Sequence, residues 1–204
     1  MASELRQLRS DADDNRDRVL AAARLAFTTD GLSVPIREIA RRAGVGTATV
    51  YRRFPTKMAL YTAAFAQDMT VCAAAVDEGL AATDPWQGLS LTVEKLLTAH
   101  GGDPRVRTVL THLSRRPEFA ADRERSLRGM LELIRRAKES GELRDDIVLE
   151  DIVLTMQAGN GIRAQSAAGQ VAATRRLAAL VIQSFRAGPD AAPLPPPVRL
   201  PLRV

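Results

Sequence analysis

Apolar residues recur along most of the chain at the three- and four-residue spacing of a buried helical face. Val19, Leu20, Ala23 and Phe27 open the pattern, with Asp14 or Asn15 placed to cap that helix. Asp30-Gly31 ends it, because glycine readily takes the left-handed conformation of a helix end. Ile36, Ile39, Ala40 and Ala43 form a second stripe. Ser33 is placed to cap this second helix, with Pro35 in its first turn and Gly44 at its end. A short third helix covers 47–54. Pro55 breaks the chain, and Thr56 caps a fourth helix that keeps its period through Leu60, Ala64, Phe65, Met69, Cys72 and Val76.

Further stripes follow. A fifth helix is predicted over 86–100, and Val106, Val109, Leu110 and Leu113 mark a sixth. Leu127, Met130, Leu131, Ile134 and Ala137 mark a seventh, ending near Ser140-Gly141. Ile152, Val153 and Met156, then Leu177, Leu180, Val181 and Phe185, mark two more, joined by a loop near 167–169. No alternating run is bounded by hairpin turns, so the fold class is all-α with about nine helices. Residues 1–13 read as a flexible polar arm. Residues 188–204 hold six of the 11 prolines and read as an extended or disordered tail, passive rather than a docking peptide.

Composition then removes whole classes of function. No uninterrupted apolar run has membrane-spanning length, and the polar N-terminus lacks a signal-peptide stretch. Cys72 is the only cysteine, and His100 and His112 are the only histidines. Neither a disulfide framework nor a cysteine- or histidine-rich metal site is expected, and no catalytic constellation or cofactor motif stands out. A reduced, cytoplasmic protein without a membrane partner is the simplest reading. The formal net charge is +5, from 29 Lys+Arg against 24 Asp+Glu. Residues 31–57 alone carry that whole excess: Arg37, Arg41, Arg42, Arg52, Arg53 and Lys57 against Glu38. So local a positive patch points to a polyanionic partner.

The same segment has the arithmetic of a helix-turn-helix. Gly44 permits the sharp turn, and Val45 is placed to plug the space between the helices. Val50 and Phe54 give the third helix one buried edge, which leaves Ala48, Thr49, Tyr51 and Arg52 on the other side. A slim face with a hydroxyl, a phenol and a guanidinium suits the major groove of double-stranded DNA. Lys57 opens the fourth helix, where a cation opposes the helix dipole at a cost of about 0.3–1 kcal/mol. A phosphate at that helix end would remove the cost.

Residues 37–57, REIARRAGVGTATVYRRFPTK, resemble the DNA-binding signature of TetR-family transcriptional regulators. The likeness extends from Val19-Leu20 to Leu60, roughly the first third of the chain. It implies a homodimeric repressor. A three-helix DNA-binding domain, 14–60, would read an operator, and a helical domain, 61–187, would bind a small-molecule effector and dimerise. By the same resemblance Thr47, Thr49 and Tyr51 match base- or phosphate-contacting positions. Arg52 and Arg53 match variable recognition positions, and Lys57 matches a phosphate-contacting lysine. Arg37 and Ala48 complete the expected DNA-facing set. Gly46 departs from the pattern, which commonly has a serine cap there.

For the effector, the middle helices offer Trp86, His100, His112, Phe119, Met130, Met156, Gln157 and Asn160, although Met130 and Met156 also fit as packing. Gly159-Asn160-Gly161 would permit a close helix approach, a kink, or an early helix end. Leu177, Leu180, Val181 and Ser184 are the expected dimer face. The rival reading is a helical small-molecule-binding protein or enzyme with an incidental helix-turn-helix.

Overall fold

A computed structural model describes residues 2–99, 105–106, 109–110, 116–189 and 191–197. Among them are eight α-helices and no strand. These are α1 (Ala2–Thr29), α2 (Ile36–Ala43), α3 (Thr47–Arg53), α4 (Lys57–Ala81), α5 (Pro85–Thr98), α6 (Ala120–Glu139), α7 (Leu149–Gly161) and α8 (Ala167–Phe185). A 3-10 turn, Pro117–Phe119, leads into α6. The chain divides into two compact units, Met1–Gln67 and Asp68–Val204. Most of the predicted sixth helix lies outside the described residues. At 105–106 and 109–110 the backbone is helical, and Val106 and Val109 are buried.

In the first unit α1 packs on α2, and α2 on α3. The core is Val19, Ala23, Phe27, Ile39, Val50, Phe54, Leu60 and Phe65. Phe27 stacks at a tilt on Tyr61, with ring centroids 4.1 Å apart, and lies 6.4 Å from Phe65. The Tyr61 hydroxyl donates to the Leu32 carbonyl and ties the α1–α2 loop to α4. Two expectations change here. α1 starts at Ala2, where a flexible arm was expected over 1–13, because the stretch contains neither glycine nor proline to stop a helix. α2 starts after Pro35, not at Ser33: Pro35 is itself the cap, and its carbonyl accepts from the Glu38 and Ile39 amides.

In the second unit α5 is central and packs against α6, α7 and α8. Leu89, Val93, Leu97, Leu133, Ile134, Ile152 and Ala178 build its core. Asp84 caps α5 by accepting from the Gln87 amide at 2.9 Å. α4 and α5 cross at two glycines. A Cβ on Gly79 would fall on the Thr92 hydroxyl and within 2.7 Å of the Gly88 carbonyl, and one on Gly88 would fall on the Gly79 carbonyl. Gly159 plays a milder version of the same part, since its Cβ would meet Leu97 at 3.0 Å. The close approach permitted there is to α5 of the same chain, and Gly161 simply ends α7. α8 already begins at Ala167, where a loop was expected. Ser166 accepts from the Gly169 amide at 3.1 Å and starts the helix early.

By length and mean hydropathy α4 would pass as a membrane span. Its Leu60, Phe65, Ala75 and Val76 are buried in the protein.

The proline-rich segment is extended and held against the α6–α7 turn. Arg144 donates to the Ala192 carbonyl at 2.6 Å, and the Leu194 amide donates to the Asp146 carboxylate at 2.9 Å. Asp146 also pairs with Arg144 at 2.7 Å. The Arg144 guanidinium, helped by the Leu194 amide, holds the Asp146 carboxyl well below the usual carboxylate range. Just upstream, the Ala187 amide donates to the Glu142 carbonyl and Arg186 pairs with the Glu142 side chain.

Candidate nucleic-acid interface and an apolar cavity

α2 buries Ile36, Ile39, Ala40 and Ala43, the stripe read from the sequence. Gly44 then takes φ 65°, ψ 37°, a conformation costly for any residue with a Cβ. Its amide turns back to the Ala40 and Arg41 carbonyls. Arg18 of α1 closes the turn from outside, donating to the Ala43 carbonyl at 2.7 Å and to Gly44 at 3.4 Å. A cation at that spot meets the negative end of the α2 dipole. α3 follows with Gly46 as cap and without a side-chain capping bond; the Gly46 carbonyl accepts from Thr49 and Val50.

Val50 and Phe54 are buried, so the opposite face of α3 is turned to solvent. Thr47, Ala48, Tyr51, Arg52 and Arg53 are exposed and Thr49 is half-buried. Tyr51 keeps 49% of its surface in water, an unusual exposure for a large ring with nothing to pack on. Arg37 is exposed on α2. Lys57 is the first residue of α4, and Thr56 caps that helix by accepting from the Ala59 amide at 3.0 Å. The Lys57 ammonium lies 5.7 Å over the Tyr61 ring, and partial burial lowers its pKa.

The positive patch is smaller than the sequence count implies. Glu38 accepts from Arg41 at 2.7 and 2.9 Å and from Arg42 at 2.8 Å, and Arg42 also pairs with Asp30 at 2.6 Å. Arg42 thereby braces α2 against the preceding turn and Arg41 pairs within the helix, whereas Arg37 and Arg52 are not drawn into that network. Hydrogen bonds from Arg41 and Arg42 hold the Glu38 carboxyl down to about 2 from 4.5. A depressed carboxylate stabilises the fold fully above its unfolded value and loses that contribution as pH falls through the folded one. The brace is therefore expected to survive below pH 4.5 and to fail on approach to about 2. An NMR titration of the Glu38 carboxyl checks this; an inflection near 4.5 would refute it.

The second unit holds a cavity of about 460 Å3. Its walls are Met69, Thr70, Cys72, Ala73 and Val76 of α4, Leu96 of α5, and Leu149, Ile152, Val153 and Met156 of α7. Leu110 and Phe119 complete it, with Asp122, Arg123, Arg125, Ser126, Leu127 and Met130 from the first turns of α6. Burial, with a smaller contribution from the Asp68 carboxylate, pushes the Cys72 thiol up.

Comparison with known proteins agrees with this geometry. Residues 19–64 match the family described as bacterial regulatory proteins, tetR family. The HTH-type transcriptional repressor KstR of Mycolicibacterium smegmatis is 32% identical over 108 residues, 52% of this chain and 53% of the relative. The match thus spans about half the length of that relative. A TetR transcriptional regulator from Streptomyces coelicolor, of solved structure, is 28% identical with a TM-score of 0.54, covering 84% of this chain and 98% of the other. The ketosteroid transcriptional regulator KstR2 of Mycobacterium tuberculosis shares the fold at a TM-score of 0.66 and 16% identity, covering 85% and 95%.

The segment 19–64 is of the tetR-family type.

The eight DNA-facing candidates fall on the helix-turn-helix and at the start of α4, and only Thr49 and Lys57 among them are partly buried. The effector candidates scatter. Phe119, Met130 and Met156 line the cavity. Trp86 is buried in the core with the Arg186 guanidinium 5.7 Å over its ring, so it is a packing residue and not part of the cavity wall. Gln157 is exposed, and Asn160 is half-buried with its Oδ1 lacking a hydrogen-bond partner; neither lines the cavity. His100 and His112 lie outside the described residues. Sequence reading missed the α4 wall. Met69, Cys72 and Val76 had the right period, but a helix stripe facing a cavity has the same spacing as one facing a filled core.

Proposed function

We propose that this protein is a transcriptional repressor that binds operator DNA as a homodimer and is released by a small molecule taken into the apolar cavity. It works in the cytoplasm and catalyses no reaction. The observation that carries the reading is the outer face of α3, where Tyr51 and Arg52 stand in solvent above a buried Val50–Phe54 edge. The relative KstR is named a transcriptional repressor, which favours repression over activation here.

The dimer reading is supported by leucines left in water on α7 and α8. Leu154 is 43% and Leu180 54% exposed, and Ser184, one turn after Leu180 on α8, is exposed as well. Leu177 and Val181, also expected on that face, are half-buried against the core of their own chain. Two copies would set two recognition helices about 34–36 Å apart on an inverted repeat.

Release follows from one helix with two duties. α4 begins at Lys57 and continues without a break to the cavity wall at Met69, Cys72, Ala73 and Val76. A ligand that binds better when this wall is displaced favours the form with misplaced DNA contacts. Linkage is reciprocal, so DNA must weaken ligand binding by the same factor.

Gel-shift titrations over a range of salt, on operator DNA recovered by selection from random sequence, test the reading. Arg52→Ala is expected to cost about 1–3 kcal/mol on the selected sequence and little on random DNA, as removal of a base-reading side chain would. Lys57→Ala is expected to weaken both, and to reduce the salt slope by about 0.9, the value for a single phosphate no longer neutralised. Selection that enriches no sequence, or variants indistinguishable from wild type, would overturn the proposal.

A further inference from the structure

The turn that presents α3 is weakly specified by its own residues. It runs Gly44-Val45-Gly46, so two of its three residues are glycines. Glycine has the widest conformational freedom of any residue, and such a turn sets the angle between two helices loosely. α3 has only seven residues and no side-chain capping bond at its start. On the inner side the Val45 amide donates to the Ala40 carbonyl at 3.0 Å, and Val50 is buried.

On the outer side the clamp comes from α1. Arg18 Nη2 donates to the Ala43 carbonyl at 2.7 Å and to the Gly44 carbonyl at 3.4 Å. Its Nη1 donates to Asn15 Oδ1 at 3.4 Å, one turn earlier on α1. Ala43 is 4% exposed and ends α2, where carbonyls have no amide of their own helix to bond. Room for the guanidinium exists because residue 44 lacks a side chain: a Cβ there would stand 2.6 Å from Nη2. Gly44 therefore serves twice, by its φ of 65° and by the space it leaves.

We infer that Arg18 is a positioning residue for base reading: it fixes the α2–α3 turn, and with it the tilt of α3, without touching DNA. This rests on the reading of α3 as the recognition helix. A helix of seven residues is about 10 Å long, so a tilt of about 10° at the turn moves its far end by roughly 2 Å. Arg52 stands at that end, and productive polar geometry tolerates only about 0.5 Å. The attraction between basic side chains and phosphates, which supplies non-specific binding, is less demanding of geometry. Loss of Arg18 is therefore read in operator discrimination and not in general DNA affinity.

The test is Arg18→Ala as the folded full chain, titrated with the selected operator and with random DNA over a range of salt. Operator affinity is expected to fall about tenfold, while random-DNA affinity stays within about twofold and its salt slope stays at the wild-type value. In DNA-free protein the Val45 and Thr49 amides are expected to exchange hydrogen faster, with the Leu60 and Phe65 amides of α4 unchanged. Gly44→Ala completes a double-mutant cycle. Its methyl displaces the guanidinium, so adding Arg18→Ala to it is expected to cost less than about twofold further.

Weaker binding to both DNAs, with a slope lower by about 0.9, would overturn the inference by making Arg18 a phosphate contact. Unchanged operator affinity beside a lowered Tm would also overturn it, because a purely structural clasp acts that way. So would the full tenfold cost of Arg18→Ala in a folded Gly44→Ala variant; if that variant does not fold, the single substitution decides. A wild type that selects no operator sinks the repressor reading and this inference together. A wild type that selects one, with its preference intact in Arg18→Ala, sinks this inference alone.

Discussion

Gly88→Ala is expected to destabilise the 68–204 unit by about 3 kcal/mol, the upper end of the usual cost of overpacking. The added methyl would fall on the Gly79 carbonyl, which is helix backbone and has no rotamer by which to move aside. Relief requires α5 to shift away from α4, and α5 carries Leu89, Val93 and Leu97 at the centre of the core. The same shift would alter the cavity wall, since α4 contributes Cys72, Ala73 and Val76 to it. Trp86, the only tryptophan, lies in this unit, so urea unfolding followed by its fluorescence reports directly on the destabilisation. Gly161→Ala is the control. Nothing lies within 4 Å of its Cβ position, so a neutral result or a gain of about 0.5–1 kcal/mol is expected. A Gly88→Ala protein with the wild-type midpoint would show that the helices do not approach as described.

Phe27→Ala is expected to cost about 3–5 kcal/mol in the 1–67 unit. Phe27 is 1% exposed and touches the rings that join α1 to α4, Tyr61 at 4.1 Å and Phe65 at 6.4 Å. Domains are stable by only about 5–15 kcal/mol, so a small unit loses much of its margin. The signature is selective: specific DNA binding collapses while the Trp86 unfolding midpoint stays near wild type. Operator affinity unchanged in Phe27→Ala would refute the role of this aromatic cluster in holding the helix-turn-helix.

Much of the first unit was legible in the sequence because its signals are local. Gly31 and Gly44 punctuate the helices, Thr56 caps α4, and the stripe Ile36, Ile39, Ala40, Ala43 is buried as its spacing predicts. Where the reading of this segment slipped, a distant or competing partner decided. Pro35 fixes an extended backbone and displaced Ser33 as the cap of α2. The pairing of Glu38 with both Arg41 and Arg42 reduced the patch, and a charge count has no means of showing which cations are already answered. The cavity was less legible. It is assembled from four helices together with Leu110 and Phe119, and its wall residues obey the period of core residues. Trp86 drew attention by its size yet serves the core, while Ala73 and Val153 line the cavity with nothing in their local sequence to mark them.

The proline tail shows how little contact suffices when order is built into the chain. Pro193, Pro195, Pro196 and Pro197 have φ fixed by their rings, so the segment gives up less conformational freedom on docking than a flexible one would. Two hydrogen bonds, to Arg144 and Asp146, then hold what a glycine- and serine-rich segment of equal length would surrender to chain entropy. The composition that keeps this tail from forming a helix is thus the composition that lets a single arginine–aspartate turn retain it.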